Sequence, residues 1–303
     1  MAQTVGESLL EFVQLLFSIA YYWLQAILRC ILPVSWIKKD VSGQTVLITG
    51  AGSGLGRMLA FRFAQLHCRL VLWDINGEAI DQVAKEIRPK GITCRAYTVD
   101  LSKREDVYKV ADKVKQELGD IDIVINNAGI VTGRKFLECP DSLIEKTMEV
   151  NVNAHFWGHI VSIASSAGLF GVAGLADYCA SKFAAVGFDE SLRFELEAMG
   201  KTGVHTTCVC PMFINTGMFE GVQMRFPKLL PMLEPEFVVN KIMEAILCNQ
   251  AVLIIPRFNY LGYALRGILP VKVGHLIMDY LGLSHSMDRF VGRNPDNSGK
   301  KSS

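Results

Sequence analysis

The stretch Thr45-Val-Leu-Ile-Thr-Gly-Ala-Gly-Ser-Gly-Leu-Gly56 decides the fold. It opens on β-branched residues and leucine, which read as a short buried strand, and it passes through four alternating glycines into Leu59, Phe63 and Leu66 at helical spacing. Strand, glycine turn and helix follow one another. Glycine admits positive φ and lets a backbone approach a pyrophosphate closely, while a helix N-terminus offers free amides and a partial positive charge. Gly50, Gly54 and Gly56 are therefore candidate phosphate-cradle positions.

Working outward, Arg69-Leu-Val-Leu-Trp-Asp74 reads as a second buried strand that ends in a carboxylate about twenty residues beyond the glycines. Asp74 is placed to accept hydrogen bonds from both hydroxyls of an adenosine ribose and to repel a 2′-phosphate, which favours NAD(H) over NADP(H). The plainer reading of Asp74 is a turn carboxylate ahead of Ile75-Asn76-Gly77, and Arg57 leaves room for the phosphorylated cofactor. Residues 97–101 read as a third strand, with Asp100 able to meet the adenine amino group, and residues 121–125 as a fourth. Helical patterns at 78–89 and 104–118 alternate with them. Further strands are expected at 158–165, 203–210 and 251–255, with a helix near 236–247. This alternation implies an α/β class: a Rossmann-type, doubly wound parallel sheet in a single catalytic domain.

The chemistry is carried by Tyr178-Cys-Ala-Ser-Lys182, with Ser165 upstream at the end of an apolar run. Residues four apart share a helix face, so the Lys182 ammonium can sit beside the Tyr178 phenol and favour its ionised form. A phenol with an ordinary pKa near ~10 would then exchange protons closer to neutrality. Ser165 can hydrogen-bond the same oxygen, which is what alcohol/carbonyl interconversion needs. Alone, a Tyr-x-x-x-Lys pair is usually an ordinary helix surface, so its weight comes from the rest of the chain.

Thr49-Gly-x-x-x-Gly-x-Gly56, Asn126-Asn-Ala-Gly129, Asn151, Ser165 and Tyr178-x-x-x-Lys182 stand in an order that resembles the short-chain dehydrogenase/reductase family over roughly residues 43–257. The segment Pro211-Met-Phe-Ile-Asn-Thr216 and an apolar N-terminus resemble its membrane-bound branch acting on retinoids and steroids. The resemblance implies Tyr178 as proton donor/acceptor, Lys182 as its activator and a ligand of the nicotinamide ribose, Ser165 as the group polarising the substrate oxygen, and Asn151 as holder of a relay water. It further implies that Ser53, Leu55 and Asn127 contact the dinucleotide, that Thr216 lies near the nicotinamide carboxamide, and that the substrate is a lipophilic alcohol, ketone or aldehyde. Met212 departs from the glycine that many relatives carry.

A larger departure lies between Asn151 and Ser165, where the family pattern is about twice as long: about fourteen residues, or ~21 Å of helix, are missing. Asn151 belongs level with the carboxyl ends of the strands, and the next strand must begin ~17–20 Å away. The steps from Asn151 to Gly158 reach about 10 Å as helix and about 23 Å extended. The expectation is that Asn151 is pulled from the site, that a surface relatives use to form homodimers is weakened, and that the chain is destabilised and catalytically impaired. A tolerated shortening is the alternative.

Residues 12–32 form an apolar run long enough, at ~1.5 Å per residue, to cross a bilayer. Glu7 and Glu11 stand where a secretory signal has basic residues, and Lys38-Lys39 downstream favour a cytosolic catalytic domain. The expected organisation is a membrane anchor and linker (1–40), a dehydrogenase domain (41–257) and an apolar, membrane-associated extension with a polar tail (258–303). By resemblance the membrane is that of the endoplasmic reticulum or a lipid droplet. A net charge of +1 supplies no footprint for nucleic acid, and the eight scattered cysteines, without metal-ligand spacing, read as reduced thiols with no metal site. Residues 218–232, rich in Phe, Met and Leu, are expected to form an apolar substrate lid, and 260–283 to lie on a membrane surface rather than span it.

Overall fold

The computed structural model describes residues 5–152 and 160–292 and separates after Asp40 into two units. The first holds helix α1 (Val5–Ile31) and the short α2 (Val34–Ile37). Within α1, Leu9–Arg29 is long and apolar enough to cross a membrane, and its side chains are not buried by the protein.

The second unit is a seven-stranded, wholly parallel sheet in the order β3-β2-β1-β4-β5-β6-β7. The strands are β1 (Thr45–Thr49), β2 (Arg69–Asp74), β3 (Cys94–Thr98), β4 (Ile123–Asn126), β5 (Ile160–Ile163), β6 (Thr206–Pro211) and β7 (Val252–Ile255). Between them run α3 (Gly54–Gln65), α4 (Gly77–Ile87), α5 (Arg104–Leu118), α6 (Asp141–Asn151), α7 (Ala176–Ala198) and α8 (Pro235–Leu247). Both faces of the sheet are covered, so the central strands are buried along their whole length rather than alternating. Val46, Ile48, Leu70 and Leu72 pack with Leu59 and Phe63 of α3, Ile80 and Ile87 of α4, and Ile242 and Ile246 of α8. The intervening residues Leu47, Val71 and Val124 pack on the other face with Val114 of α5.

The sheet order reverses between β1 and β4, and there the glycine turn and Asn127 flank a crevice at the carboxyl ends of the strands. The doubly wound parallel architecture is thus the expected one. Several boundaries differ from expectation, among them β4, which starts two residues late, and β5, which is confined to Ile160–Ile163. The third strand starts and ends three residues early and leaves Asp100 in the loop beyond it, and the sixth starts only at Thr206. The apolar 260–283 run is two short helices, α9 (Asn259–Arg266) and α10 (Val271–Tyr280), broken at Gly267–Pro270, where proline cannot continue a helix. At 8 and 10 residues neither spans a bilayer. The shortened interval after Asn151 and the tail from Asn294 fall largely or wholly outside the described residues.

Phe63 is fully buried between α3 and the sheet. Phe63→Ala should therefore cost about 3–5 kcal/mol, whereas Phe194→Ala, at a position 63% exposed, should stay within about 0.5 kcal/mol. Chemical denaturation followed by circular dichroism measures both, and equal costs would contradict the assigned core.

Candidate active site

Gly50 and Gly54 adopt φ of +64° and +54°, conformations that L side chains rarely take. A Cβ on Gly56 would lie 2.2 Å from the Gly50 carbonyl oxygen, so the turn closes on the start of α3 only because that position is glycine. Asn127 buttresses this turn from β4. Its Nδ2 donates to the carbonyls of Thr49 (2.9 Å) and Gly50 (3.2 Å), and its backbone N–H donates to Thr49 Oγ1 at 3.0 Å. The Ala128 N–H donates to the same hydroxyl, which makes Thr49 a junction between β1 and β4 that the sequence pattern does not single out. Asp74 faces the turn from the end of β2. Its Oδ2 accepts from Gly52 N–H (2.8 Å) and its Oδ1 from Asn76 N–H (2.9 Å). The turn-carboxylate reading of Asp74 is the one observed, and a carboxylate held by two amides keeps lone pairs for further donors.

Arg57, one residue past the cradle, lies over the Phe61 ring at 4.8 Å and is ion-paired to Glu86 at 2.6 Å. Asp100 Oδ1 accepts from the Ser102 hydroxyl (2.7 Å) and N–H (3.1 Å), and these bonds hold its carboxyl below the usual range. Asp100 thereby shapes the loop after β3.

Tyr178, Ser181 and Lys182 sit in the first two turns of α7, buried against β5 and β6. The Lys182 ammonium donates to the carbonyl of Ile163, the last residue of β5, at 2.9 Å and lies 5.6 Å from the Tyr178 ring centre. Burial lowers it to about 8, partly opposed by the nearby Cys208 and Cys210 thiols. Those cysteines share one face of β6, with their sulfurs 3.8 Å apart. Ser165 follows β5; its Oγ accepts from Ala167 N–H at 3.1 Å, donates to the Pro211 carbonyl at 3.3 Å, and is bonded to the Tyr178 phenol. The expected shift of that phenol toward neutrality is not what the site produces: burial pushes it well above its ordinary value, and the Ser165 bond only moderates the rise. The lysine charge is spent on a peptide carbonyl rather than on the phenol oxygen.

Asn151 has not left the site. It is fully buried, its Oδ1 accepts from the Ile130 N–H at 2.9 Å, and its Nδ2 donates to the Ile130 carbonyl at 2.9 Å and to Ser181 Oγ at 3.0 Å. A Cβ on Gly129 would lie 3.3 Å from Asn151 Oδ1 and 3.6 Å from Lys182 Nζ, so both groups border that glycine. The expectation of a displaced Asn151 is therefore corrected, and the impairment argued from that displacement has no support in this geometry. The end of α6 is held by lateral bonds to the loop after β4 and to α7.

Two spaces meet at the tyrosine. A narrow cleft is lined by Asn127, Gly129, Lys182, Met212 and Thr216, and an apolar cavity of about 610 Å³ is lined by Phe213, Phe219, Leu261, Leu265 and Ile277; Tyr178 and Ser165 line both. Phe219 comes from the expected lid segment and meets the Tyr178 ring edge-on at 6.0 Å.

The sequence model of the short chain dehydrogenase family matches residues 44–225. The chain belongs to that family. It is an oxidoreductase by that membership. It is 54% identical to epidermal retinol dehydrogenase 2 of Mus musculus over 275 aligned positions, covering 86% of this chain and 89% of the relative. Retinol dehydrogenase 10 of Xenopus tropicalis is 43% identical over 84% of this chain and 87% of its own length. The aligned length with the mouse protein exceeds the share of this chain that it covers, so that relative carries residues this chain lacks. Among solved structures, a short chain dehydrogenase/reductase from Burkholderia phymatum in complex with NAD superposes with a TM-score of 0.67 at 25% identity, covering 76% of this chain and 95% of that one. One from Sphingobium yanoikuyae in complex with NADPH gives 0.64 at 27% identity, covering 74% and 94%.

Below pH 8 the folded chain carries the Lys182 charge and bears its full desolvation cost; between pH 8 and the ordinary 10.5 it is neutral while the unfolded chain remains protonated. Folded-state stability attributable to Lys182 therefore rises with pH across that window. Relative to Lys182→Met, the wild type should gain up to ~3 kcal/mol between pH 8 and 10.5 and show a flat difference below pH 8. Urea titrations at a series of pH values test this, and a difference that shrinks as pH rises would contradict it.

Proposed function

We propose that the chain interconverts a lipophilic alcohol and its carbonyl compound with NAD(H), and that all-trans-retinol and retinal are its first substrates to test. The observation that carries the reading is the position of Tyr178 and Ser165 between the Lys182 cleft and the large apolar cavity. The names of the mouse and frog relatives support the retinoid assignment.

The residues fit a dinucleotide. The glycine turn leaves no room for side chains and opens onto the N-terminus of α3, where a pyrophosphate is favoured. Gly50, Ser53, Gly54, Leu55 and Gly56 would hold the phosphates, Asp74 the adenosine ribose, Asp100 the adenine side, and Lys182 and Thr216 the nicotinamide end. Asn127 supports the cradle through its bonds to Thr49 and Gly50. Asp74 aimed at the turn, with Glu86 pairing Arg57, favours NAD over NADP. When bound, the cofactor would supply the hydride acceptor for alcohol oxidation as NAD and the hydride donor for carbonyl reduction as NADH.

The chain's own part is positional and protonic. Ser165 holds the substrate oxygen beside the Tyr178 phenol. In carbonyl reduction the buried, protonated phenol donates its proton to that oxygen as the C–H bond forms. In alcohol oxidation the phenol must first lose its proton and then take the one on the hydroxyl. Lys182 fixes the phenol's surroundings from the Ile163 carbonyl, and Asn151 fixes Ile130 and Ser181 around them. The aromatic wall of Phe213 and Phe219 excludes water from the reacting carbon.

The apolar α1 and the exposed apolar residues of α9, α10 and the turn between them, including Leu261, Ile268, Val271 and Leu276, support a membrane-bound protein whose catalytic domain faces the cytosol. Such a placement brings a lipophilic substrate to the cavity that α9 and α10 help to line.

Full-length chain in microsomes, given all-trans-retinol and followed by chromatography of retinal, should turn over with NAD at least ~10-fold more efficiently than with NADP. Oxidation should accelerate from pH 6 to pH 9, because Tyr178 must be deprotonated to act as base. Tyr178→Phe should reduce kcat by about 10²–10⁴-fold. Equal turnover by wild type and Tyr178→Phe would refute the assignment.

A further inference from the structure

The segment from Leu283 to Gly292 is drawn across the catalytic side of the domain, and it takes no part in the chemistry just described. Three glycines from three separate segments make room for it. A Cβ on Gly133, after β4, would lie 2.0 Å from Phe290 Cε1; one on Gly174, before α7, would lie 3.2 Å from Met287 Cβ; and one on Gly221, in the lid, would lie 2.1 Å from the Arg289 carbonyl oxygen. The strap is also bonded to the lid through the main chain. Val291 and Gly292 donate to the Glu220 carbonyl at 2.9 and 3.3 Å, and Gln223 donates to the Ser286 carbonyl at 3.1 Å.

Side chains continue this chain of contacts to the reacting group. The Phe290 ring lies 6.4 Å from Phe219, which meets Phe213 at 5.0 Å and Tyr178 at 6.0 Å. Met287 is buried in the same cluster. Phe219 lines the apolar cavity, whereas Phe290 and Met287 stand behind it. A ring backed by a second ring cannot retreat without leaving a void, and a packed core resists that.

We infer that Phe290 and Met287 are positioning residues that clamp the lid, hold Phe219 against Tyr178 and so select slim carbon skeletons over broad ones. The selectivity part rests on the oxidoreductase reading above, whereas the clamp is a property of the fold. The test uses full-length chain in phosphatidylcholine vesicles with NAD and two secondary alcohols, 2-decanol and cyclodecanol. Phe290→Ala and Gly133→Val, which fills the seat of the Phe290 ring, should each shift the kcat/KM ratio toward cyclodecanol by roughly tenfold. Phe290→Leu should restore most of the preference. Trypsin cleavage after Arg225 and Lys228 in the lid should be faster in Phe290→Ala than in wild type. An unchanged ratio, or an equal fall for both alcohols, in variants that bind NADH like wild type overturns the selectivity role. If wild type oxidises all-trans-retinol but neither secondary alcohol, the selectivity role fails while the oxidoreductase reading stands, and trypsin decides the clamp: unchanged cleavage overturns it.

Discussion

The side chain of Asn151 ties three segments together. Its amide accepts from and donates to the main chain of Ile130 and donates to Ser181, which joins the end of α6 to the loop after β4 and to the first turns of α7. All these groups are buried or nearly so, and an unpaired buried amide or carbonyl costs about 1–3 kcal/mol. Three such bonds made by one fully buried side chain therefore hold α6 in place laterally. The geometry of Gly129, Lys182 and Tyr178 follows from that brace, because Ser181 directly precedes Lys182.

Around this brace the parallel sheet does the gathering. The glycine turn, Asp74, Asn127 and Ser165 each follow the carboxyl end of a strand, and the Ile163 carbonyl that holds Lys182 closes β5. Residues far apart in sequence meet because every strand points the same way. The cost is concentrated at Lys182 and Tyr178, a buried ammonium lowered by desolvation and a buried phenol raised by it. Burial drives both groups toward their neutral forms, so the protein holds a proton-donating phenol in a dry site beside an apolar cavity.

Much of this was legible in the chain. The bounds of β2 and α5 and the cradle glycines follow from periodicity, buried-strand runs and turn chemistry, all of which are local signals. Asn151 was misjudged because a reach calculation along the covalent chain ignores lateral hydrogen bonds. That Asn127, expected to touch the dinucleotide, also donates to the cradle depends on rotamer and partner rather than on residue type. The rise of the Tyr178 phenol was hidden for the same reason: helical spacing gives proximity to Lys182 but not the depth of burial or the competing carbonyl. The strap has no periodic signature, and it appears only when Phe290 is seen to fill the space above Gly133.

The bonds of Asn151 keep the site assembled although the connection after it is short. Hydrogen exchange of the Ile130 amide in the full-length chain tests this most directly, since that N–H donates to Asn151 Oδ1. The amide should exchange at least ~10³-fold more slowly than an unstructured peptide, and Asn151→Ala should remove that protection. Exchange of the wild-type amide at the rate of a solvated loop would contradict the account.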